Sequence, residues 1–321
     1  MTKLIFGCGY LGRRVANAWS AAGDKVHVVT RSPDRAAEFQ SQGWTAHVAD
    51  ICDAPSLATL PAVDTVLFAV GFDRQSGRMQ REVMVDGVAH VLAHYHHRCR
   101  RFIYISSTSV YGQHDGEWVD ESSPTEPTQP GGQCCLAAER LVWNAFPQHP
   151  VPSPPSAGEN IRMRGAVASD RAFPEPGATV LRLAGIYGPQ RLLACIEALQ
   201  RGESIAGNPD AWLNLIHVDD AVAAILACEA HWSPGETYLV CDNQPITRRE
   251  YFAALAQRIG APPPTFDESQ PPRRGSGGLN KRCCNRKLHE RLDLLLRYPT
   301  LETGLPAGLV AGLSRAKSLL D

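Results

Sequence analysis

Lysine is scarce in this chain. Lys3, Lys25, Lys281, Lys287 and Lys317 are the full set, and none falls between residues 26 and 280. A site built from that central stretch has to work without an ammonium group. An excess of either charge is also missing. The formal net charge is -1, which speaks against nucleic acid or an anionic membrane surface as a partner. No apolar run is long enough to span a bilayer. The first strand is expected from residue 3, which leaves no room for a signal peptide ahead of it. The 10 cysteines contain no C-x-x-C; they fall singly or as the neighbours Cys134-Cys135 and Cys283-Cys284. That pattern suits reduced thiols in a cytoplasm better than a disulfide framework. The cluster His94, His96, His97, Cys99 has no second group of ligands to join it. It reads as the polar end of a helix, and no metal is expected.

What is present begins at the N-terminus. Lys3-Leu4-Ile5-Phe6 is a short apolar strand that runs into Gly7-Cys8-Gly9-Tyr10-Leu11-Gly12 and then into helical spacing through Trp19. Each glycine has a physical task. Gly7 permits the tight turn, Gly9 lets the backbone approach a pyrophosphate, and Gly12 lets the helix pack close to the strand. The helix N-terminus, with Tyr10 and Leu11, offers free N–H groups and partial positive charge to phosphates.

Strands and helices then alternate. Strands are expected at Lys25–Thr30, Thr45–Val48, Thr65–Val70, Arg101–Ser106 and Thr179–Leu183, with a short one over Leu213–Val218. Helices are expected at Pro33–Gln42, Met79–His97, Gln133–Phe146, 190–201, Arg248–Ile259 and Lys287–Leu295. A further helix, capped by Asp219 or Asp220, runs through Cys228. This alternation implies an α/β fold: a doubly wound parallel Rossmann sheet with right-handed crossovers and a small C-terminal α/β lobe. Residues 1–180 form the expected dinucleotide-binding domain. Residues 181–321 partly return to its sheet and partly form a substrate-binding lobe. The proline-rich stretch 147–177 reads as a flexible surface insertion.

Three further segments carry a family resemblance. Ile103-Tyr104-Ile105-Ser106-Ser107-Thr108-Ser109-Val110-Tyr111-Gly112 resembles the fifth strand and active-site serine segment of extended short-chain dehydrogenase/reductases. Leu181-Arg182-Leu183-Ala184-Gly185-Ile186-Tyr187-Gly188-Pro189 resembles their R-x-x-x-x-YGP turn, and Leu215-Ile216-His217-Val218-Asp219-Asp220 their I-H-V-D-D segment. With the glycine loop, the resemblance spans nearly the whole chain. It points to the NAD(P)-dependent epimerase/dehydratase superfamily, and within it to the atypical YeeZ-like bacterial group. Those members carry G-x-G-x-x-G; Phe6 stands where the extended pattern has its first glycine. The resemblance implies NAD(P) across the C-terminal edge of the sheet and a small lobe closing over a small-molecule substrate. It implies adenine contact at Asp50 and cofactor backbone contacts at Ala69, Val70 and Gly71. The fold it implies commonly forms homodimers through two helices flanking the sheet, and the sequence leaves the oligomeric state open.

The end of the second strand narrows the cofactor. An acid there binds the ribose 2′-OH of NAD, whereas an arginine accommodates the 2′-phosphate of NADP. Here the residues are Thr30-Arg31-Ser32, so NADP is favoured over NAD, with a bidentate guanidinium and a hydroxyl as its grip.

Working members of the family carry Tyr-x-x-x-Lys on the helix after the serine strand. The tyrosine moves a proton, and the lysine lowers its pKa and holds the nicotinamide ribose. Here Gly131 and Cys135 take those places, and no Tyr-x-x-x-Lys exists anywhere in the chain. Ser107 and Thr108 remain as candidates to bond a substrate carbonyl, with Ser106 beside the cofactor. The plainer reading is that these hydroxyls satisfy the strand end and the nicotinamide amide. Tyr111 reads as a packing residue, Cys134 and Cys135 as buried helix residues, His217 as structural, and Glu139 as lying on the outer face of its helix. The family's asparagine before YGP is Gly185, which argues against a sugar-nucleotide substrate. Two functions stay open. One is an NADP-dependent oxidoreductase or epimerase/dehydratase-like enzyme. The other is an inactive dinucleotide-binding sensor or scaffold.

Overall fold

Leu4, Ile5 and Phe6 are buried at the centre of β1 (Thr2–Phe6), so the strand that enters the glycine loop is also the middle of the core. The structure is a computed structural model, and it describes residues 1–147, 176–191, 193–270 and 280–317. Six further strands join β1: β2 (Lys25–Thr30), β3 (Thr45–Val48), β4 (Val63–Phe68), β5 (Cys99–Ser107), β6 (Gly177–Leu183) and β7 (Thr237–Val240). All pair in parallel, in the order β3-β2-β1-β4-β5-β6-β7. The winding reverses between β1 and β4. The carboxyl ends of the strands part there, which is where such sheets bind ligands.

Strand residues divide alternately between two cores, as the two-residue period of a strand requires. Ile5, Val28, Leu67, Ile103, Leu181 and Val240 face one layer with α1 (Tyr10–Ala21) and the helix Val218–Ala230. Leu4, Phe6, Val66, Phe68, Phe102 and Val180 face the other, with α3 (Gly87–Tyr95) and α4 (Pro130–Ala145). Helix α2 (Pro33–Ser41) starts at a proline behind the Ser32 cap and packs Phe39 against the first layer. A third cluster, including Leu199, Leu215, Tyr251, Leu255, Leu301 and Leu305, forms the small lobe. Its helix Arg248–Ile259 opens with a capping box between Thr247 and Glu250 and ends at Gly260 in the left-handed region.

Several local expectations need correction. The helix expected from Met79 is present from residue 80, and the refinement is one wide turn over Glu82–Asp86 that leads into α3 at Gly87. A Cβ on Gly87 would lie 2.7 Å from the Ile51 side chain, so the helix approaches the segment after β3 closely. The helix after the I-H-V-D-D segment is capped by His217, whose Nδ1 accepts the Asp219 N–H at 3.2 Å. Asp220 instead turns inward and accepts the backbone N–H groups of Arg297 and Tyr298. The helix expected to reach Leu295 ends at Leu292, because Asp293 adopts φ 48°. Strand β7 and the helix Leu301–Lys317 were not anticipated. Most of the 147–177 insertion lies outside the described residues.

Candidate functional site

The glycine loop is shaped by close approaches. Gly7 has φ +88°, and a Cβ there would sit 2.4 Å from the Ala69 carbonyl oxygen. Only glycine fits where β1 passes the end of β4. A Cβ on Gly12 would lie 2.4 Å from the Gly7 carbonyl oxygen, which locks helix to loop. Gly9 is different: a Cβ there would meet nothing within 4 Å, because it faces open space. That space is a cleft of about 600 Å³ between the strand ends. Helix α1 presents its N-terminus to it with no acid in the first turn and no capping side chain. These residues fit a dinucleotide pyrophosphate: an open glycine approach, unopposed positive helix charge and a volume suited to an elongated ligand. The thiol of Cys8 within the loop is pushed up to about 12 by burial, so it is an inert neutral group.

At one end of the cleft stand Thr30, Arg31 and Arg35. Arg31 is exposed, and among the described residues no carboxylate pairs with it. Arg35 donates from Nη2 to the Cys8 carbonyl at 3.2 Å and lies over the Phe39 ring. Ser32 accepts the Arg35 N–H at 3.3 Å as the α2 cap and does not line the cleft. Asp50 does line it. Its Oδ1 accepts the Cys52 N–H at 2.9 Å and its Oδ2 accepts Arg78 at 2.8 Å, while Arg78 also pairs with Glu82.

At the other end the wall is made by Ala69, Val70, Gly71, Met84, Ile105, Ser106, Ser107, Cys135 and Ile186. The Ser107 Oγ accepts the Ser109 N–H at 3.1 Å and so caps the short turn Thr108–Val110. That bond uses a lone pair and leaves the Ser107 O–H available to donate. Thr108 is not in the wall; its carbonyl accepts the Tyr111 N–H. Cys135, at the family's lysine position, lines the cleft with its thiol pushed up to about 11 by burial. Gly12 is likewise behind the wall, in its packing role.

Behind Ser106 lies a buried polar network. Ser106 Oγ donates to Glu139 Oε1 at 2.5 Å. Arg182 donates to both Glu139 oxygens, Nε to Oε1 at 3.0 Å and Nη2 to Oε2 at 2.7 Å, and its Nη1 donates to the Tyr111 hydroxyl at 2.8 Å. Lys281 Nζ, also buried, donates to the Tyr111 carbonyl at 3.1 Å. Glu139 is therefore on the inner face of α4, contrary to expectation. The buried residues of α4 are Gly132, Cys135, Ala138, Glu139 and Val142. Tyr111 is fully buried and its phenol pushed further up by desolvation, so it packs and holds Arg182.

Arg35 and Arg191 also line the cleft, and no local pattern announces Arg191. The i+4 spacing from Arg31 to Arg35 at a helix start was the available signal for Arg35. Among the described residues, no cluster of three or more His, Cys, Asp or Glu side chains is placed to hold a metal. No helix among them is long and apolar enough to cross a membrane.

The family model for the NAD dependent epimerase/dehydratase family matches residues 4–153, which include the glycine loop, β2, Asp50 and the serine strand. Protein YeeZ of Escherichia coli (strain K12) is 26% identical over 293 residues, covering 88% of this chain and 92% of that protein. A functionally unknown conserved protein from Silicibacter pomeroyi DSS superposes with a TM-score of 0.70 at 28% identity, over 98% of both chains. A short-chain dehydrogenase/reductase superfamily protein from Agrobacterium tumefaciens, described with bound NAD, shares the fold with a TM-score of 0.75. Its identity is 20% over the full length of both chains. Family model, relatives matched along most of their length and the strand order around the glycine cleft point the same way: the chain is similar to the NAD dependent epimerase/dehydratase family over residues 4–153 and to the relatives above along nearly its whole length.

Proposed function

We propose that the protein binds NADP(H) in the cleft and uses it to oxidise or reduce a small hydroxyl or carbonyl compound, as an atypical oxidoreductase or epimerase/dehydratase-like enzyme. The observation that carries the cofactor choice is the end of β2. Arg31 and Arg35 stand together in the wall of the cleft, and no acid stands at the position that would bond a ribose 2′-OH. A carboxylate there would repel a 2′-phosphate, whereas two guanidinium groups attract one.

The bound cofactor supplies a hydride donor or acceptor. The chain's own contribution is binding and orientation. Ser107, its lone pair engaged by the Ser109 N–H, points a hydroxyl donor at a substrate oxygen. Cys135 and Met84 form a neutral wall beside it, so the proton comes from solvent rather than from a tyrosine. On this reading the protein works in the cytoplasm on a small-molecule substrate, and a homodimer through helices flanking the sheet is compatible with it.

The absence of the tyrosine and lysine supports a second reading, a dinucleotide-binding sensor without turnover. Gly131 and Cys135 supply neither the proton nor the ribose contact. Incubation with NADPH and a panel of aldehydes and ketones separates the two. Turnover that is abolished in Ser107→Ala supports the enzyme; binding without any turnover supports the sensor.

A further inference from the structure

We propose that Arg191, supplied by the turn that leads into the small lobe, is a clamp on the pyrophosphate of the bound dinucleotide. The inference rests on the cofactor reading above and adds a residue that the glycine motif does not contain.

The geometry begins at Tyr10, the first residue of α1. Its hydroxyl donates to the Pro189 carbonyl at 2.9 Å, tying the glycine loop to the Tyr187-Gly188-Pro189 turn. Two guanidinium groups lie over its ring, Arg14 at 4.1 Å and Arg191 at 4.8 Å from the centroid. Arg14 is spent locally, donating from Nη1 to the Tyr10 carbonyl at 2.8 Å. Arg13 is also spent, on Glu38 at 2.6 Å. Arg191 is not. It lines the same cleft as Gly7 and Gly9, and among the described residues no carboxylate lies within ion-pair distance of it.

The backbone holds Arg191 in place at a cost. Gly188 has φ +141°, and a Cβ there would strike the Tyr10 hydroxyl at 2.8 Å. Gln190 adopts φ 68°, a left-handed conformation that is uncommon for a residue with a side chain. The Arg191 N–H closes the turn on the Gly188 carbonyl at 3.1 Å. Strain of this kind persists where the surroundings impose it, and it collects at ligand clamps. Here it sets a cation at the mouth of the glycine loop.

Electrostatics then selects the ligand group. A dinucleotide pyrophosphate carries two negative charges, and the N-terminus of α1 offers only about half a positive charge. An arginine in the wall of the same cleft supplies a full positive charge more, in a form that can bond two phosphate oxygens at once. Because Arg191 belongs to the turn before the helix Leu193–Gln200, its engagement also draws the entry to the small lobe onto the cofactor.

The test compares wild type, Arg191→Ala and Arg191→Lys by titration with three probes: NADPH, 2′-phospho-ADP-ribose and 2′-AMP. The first two contain the pyrophosphate and the third does not. In Arg191→Ala, affinity for the first two falls roughly ten- to a hundredfold, as expected for lost charge-assisted bonds. Affinity for 2′-AMP stays within about twofold of wild type, and Arg191→Lys recovers part of the loss. Arg191 is exposed, so the melting temperature of the unliganded variant stays at the wild-type value. Unchanged NADPH affinity in Arg191→Ala overturns the clamp and leaves the cofactor reading standing. Equal loss on all three probes also overturns it, since that marks general damage to the site. If wild type binds neither NADPH nor 2′-phospho-ADP-ribose, the cofactor reading falls and the clamp with it.

Discussion

Glu139 on α4 and Arg182 on β6 meet through two parallel hydrogen bonds, 3.0 and 2.7 Å long, with both side chains almost wholly removed from solvent. Ser106 and Tyr111 complete the pair from either side. In this chain the interior end of the serine strand is therefore fixed by an ion pair. Ser106 is committed to Glu139, whereas Ser107, one residue on, faces the cleft with a free O–H.

Breaking one half of that pair leaves an uncompensated buried charge. Glu139→Leu is expected to lower the stability of the fold by about 3–5 kcal/mol, because Arg182 stays charged with only Tyr111 to meet it. The double variant Glu139→Leu/Arg182→Met removes both charges and is expected to recover most of the loss. Denaturant unfolding of both variants measures this. A single variant as stable as wild type would contradict it.

Gly9 and Gly12 separate binding from folding. Gly9→Ala adds a methyl group to open space, so its melting temperature is expected to match wild type while dinucleotide affinity collapses. Gly12→Ala pushes a methyl group to 2.4 Å from the Gly7 carbonyl oxygen and is expected to destabilise the unliganded protein. Thermal melts with and without NADPH distinguish the two. Equal melting temperatures for the two unliganded variants would refute the distinction.

Asp242 gives the stability a pH dependence. It is buried, its Oδ2 has no partner among the described residues, and burial pushes its carboxyl up to about 8, with the charge of Asp220 adding to the effect. The folded state therefore holds a proton that the unfolded state releases near pH 3.8. The stability this contributes is complete at acid pH and is lost as pH rises from about 3.8 through about 8. Asp242→Asn is expected to remove that decline and to raise the melting temperature at pH 9 by roughly 2 °C or more. Melting curves at pH 6 and pH 9 check it; a variant with the wild-type pH slope would show that Asp242 is not the source.

The parts of this molecule that were legible in its sequence are those whose cause is local. The strand-glycine-helix passage at Gly7–Gly12, the apolar strands β1 to β6 and the arginine at the end of β2 each announce themselves within about ten residues. Strand β7 did not, since four residues at the sheet edge carry little pattern of their own. The network at Glu139 was hidden for a different reason. Its partners are Ser106, Tyr111 and Arg182, and only folding brings them to one point. A glutamate in a helix reads as solvated until its partner is known. Arg191 was equally silent, because its place over Tyr10 depends on how the Tyr187-Gly188-Pro189 turn meets the glycine loop.

The measurement that bears most directly on the account is a calorimetric titration of wild type, Arg31→Ala and Arg35→Ala with NADPH and, separately, with NADH. Wild type is expected to bind NADPH tightly and NADH much more weakly. Each arginine variant is expected to lose NADPH affinity roughly tenfold, as for one charge-assisted contact, with NADH affinity nearly unchanged. Equal losses for the two nucleotides, or tighter binding of NADH by wild type, would contradict the assignment of this end of the cleft to a 2′-phosphate.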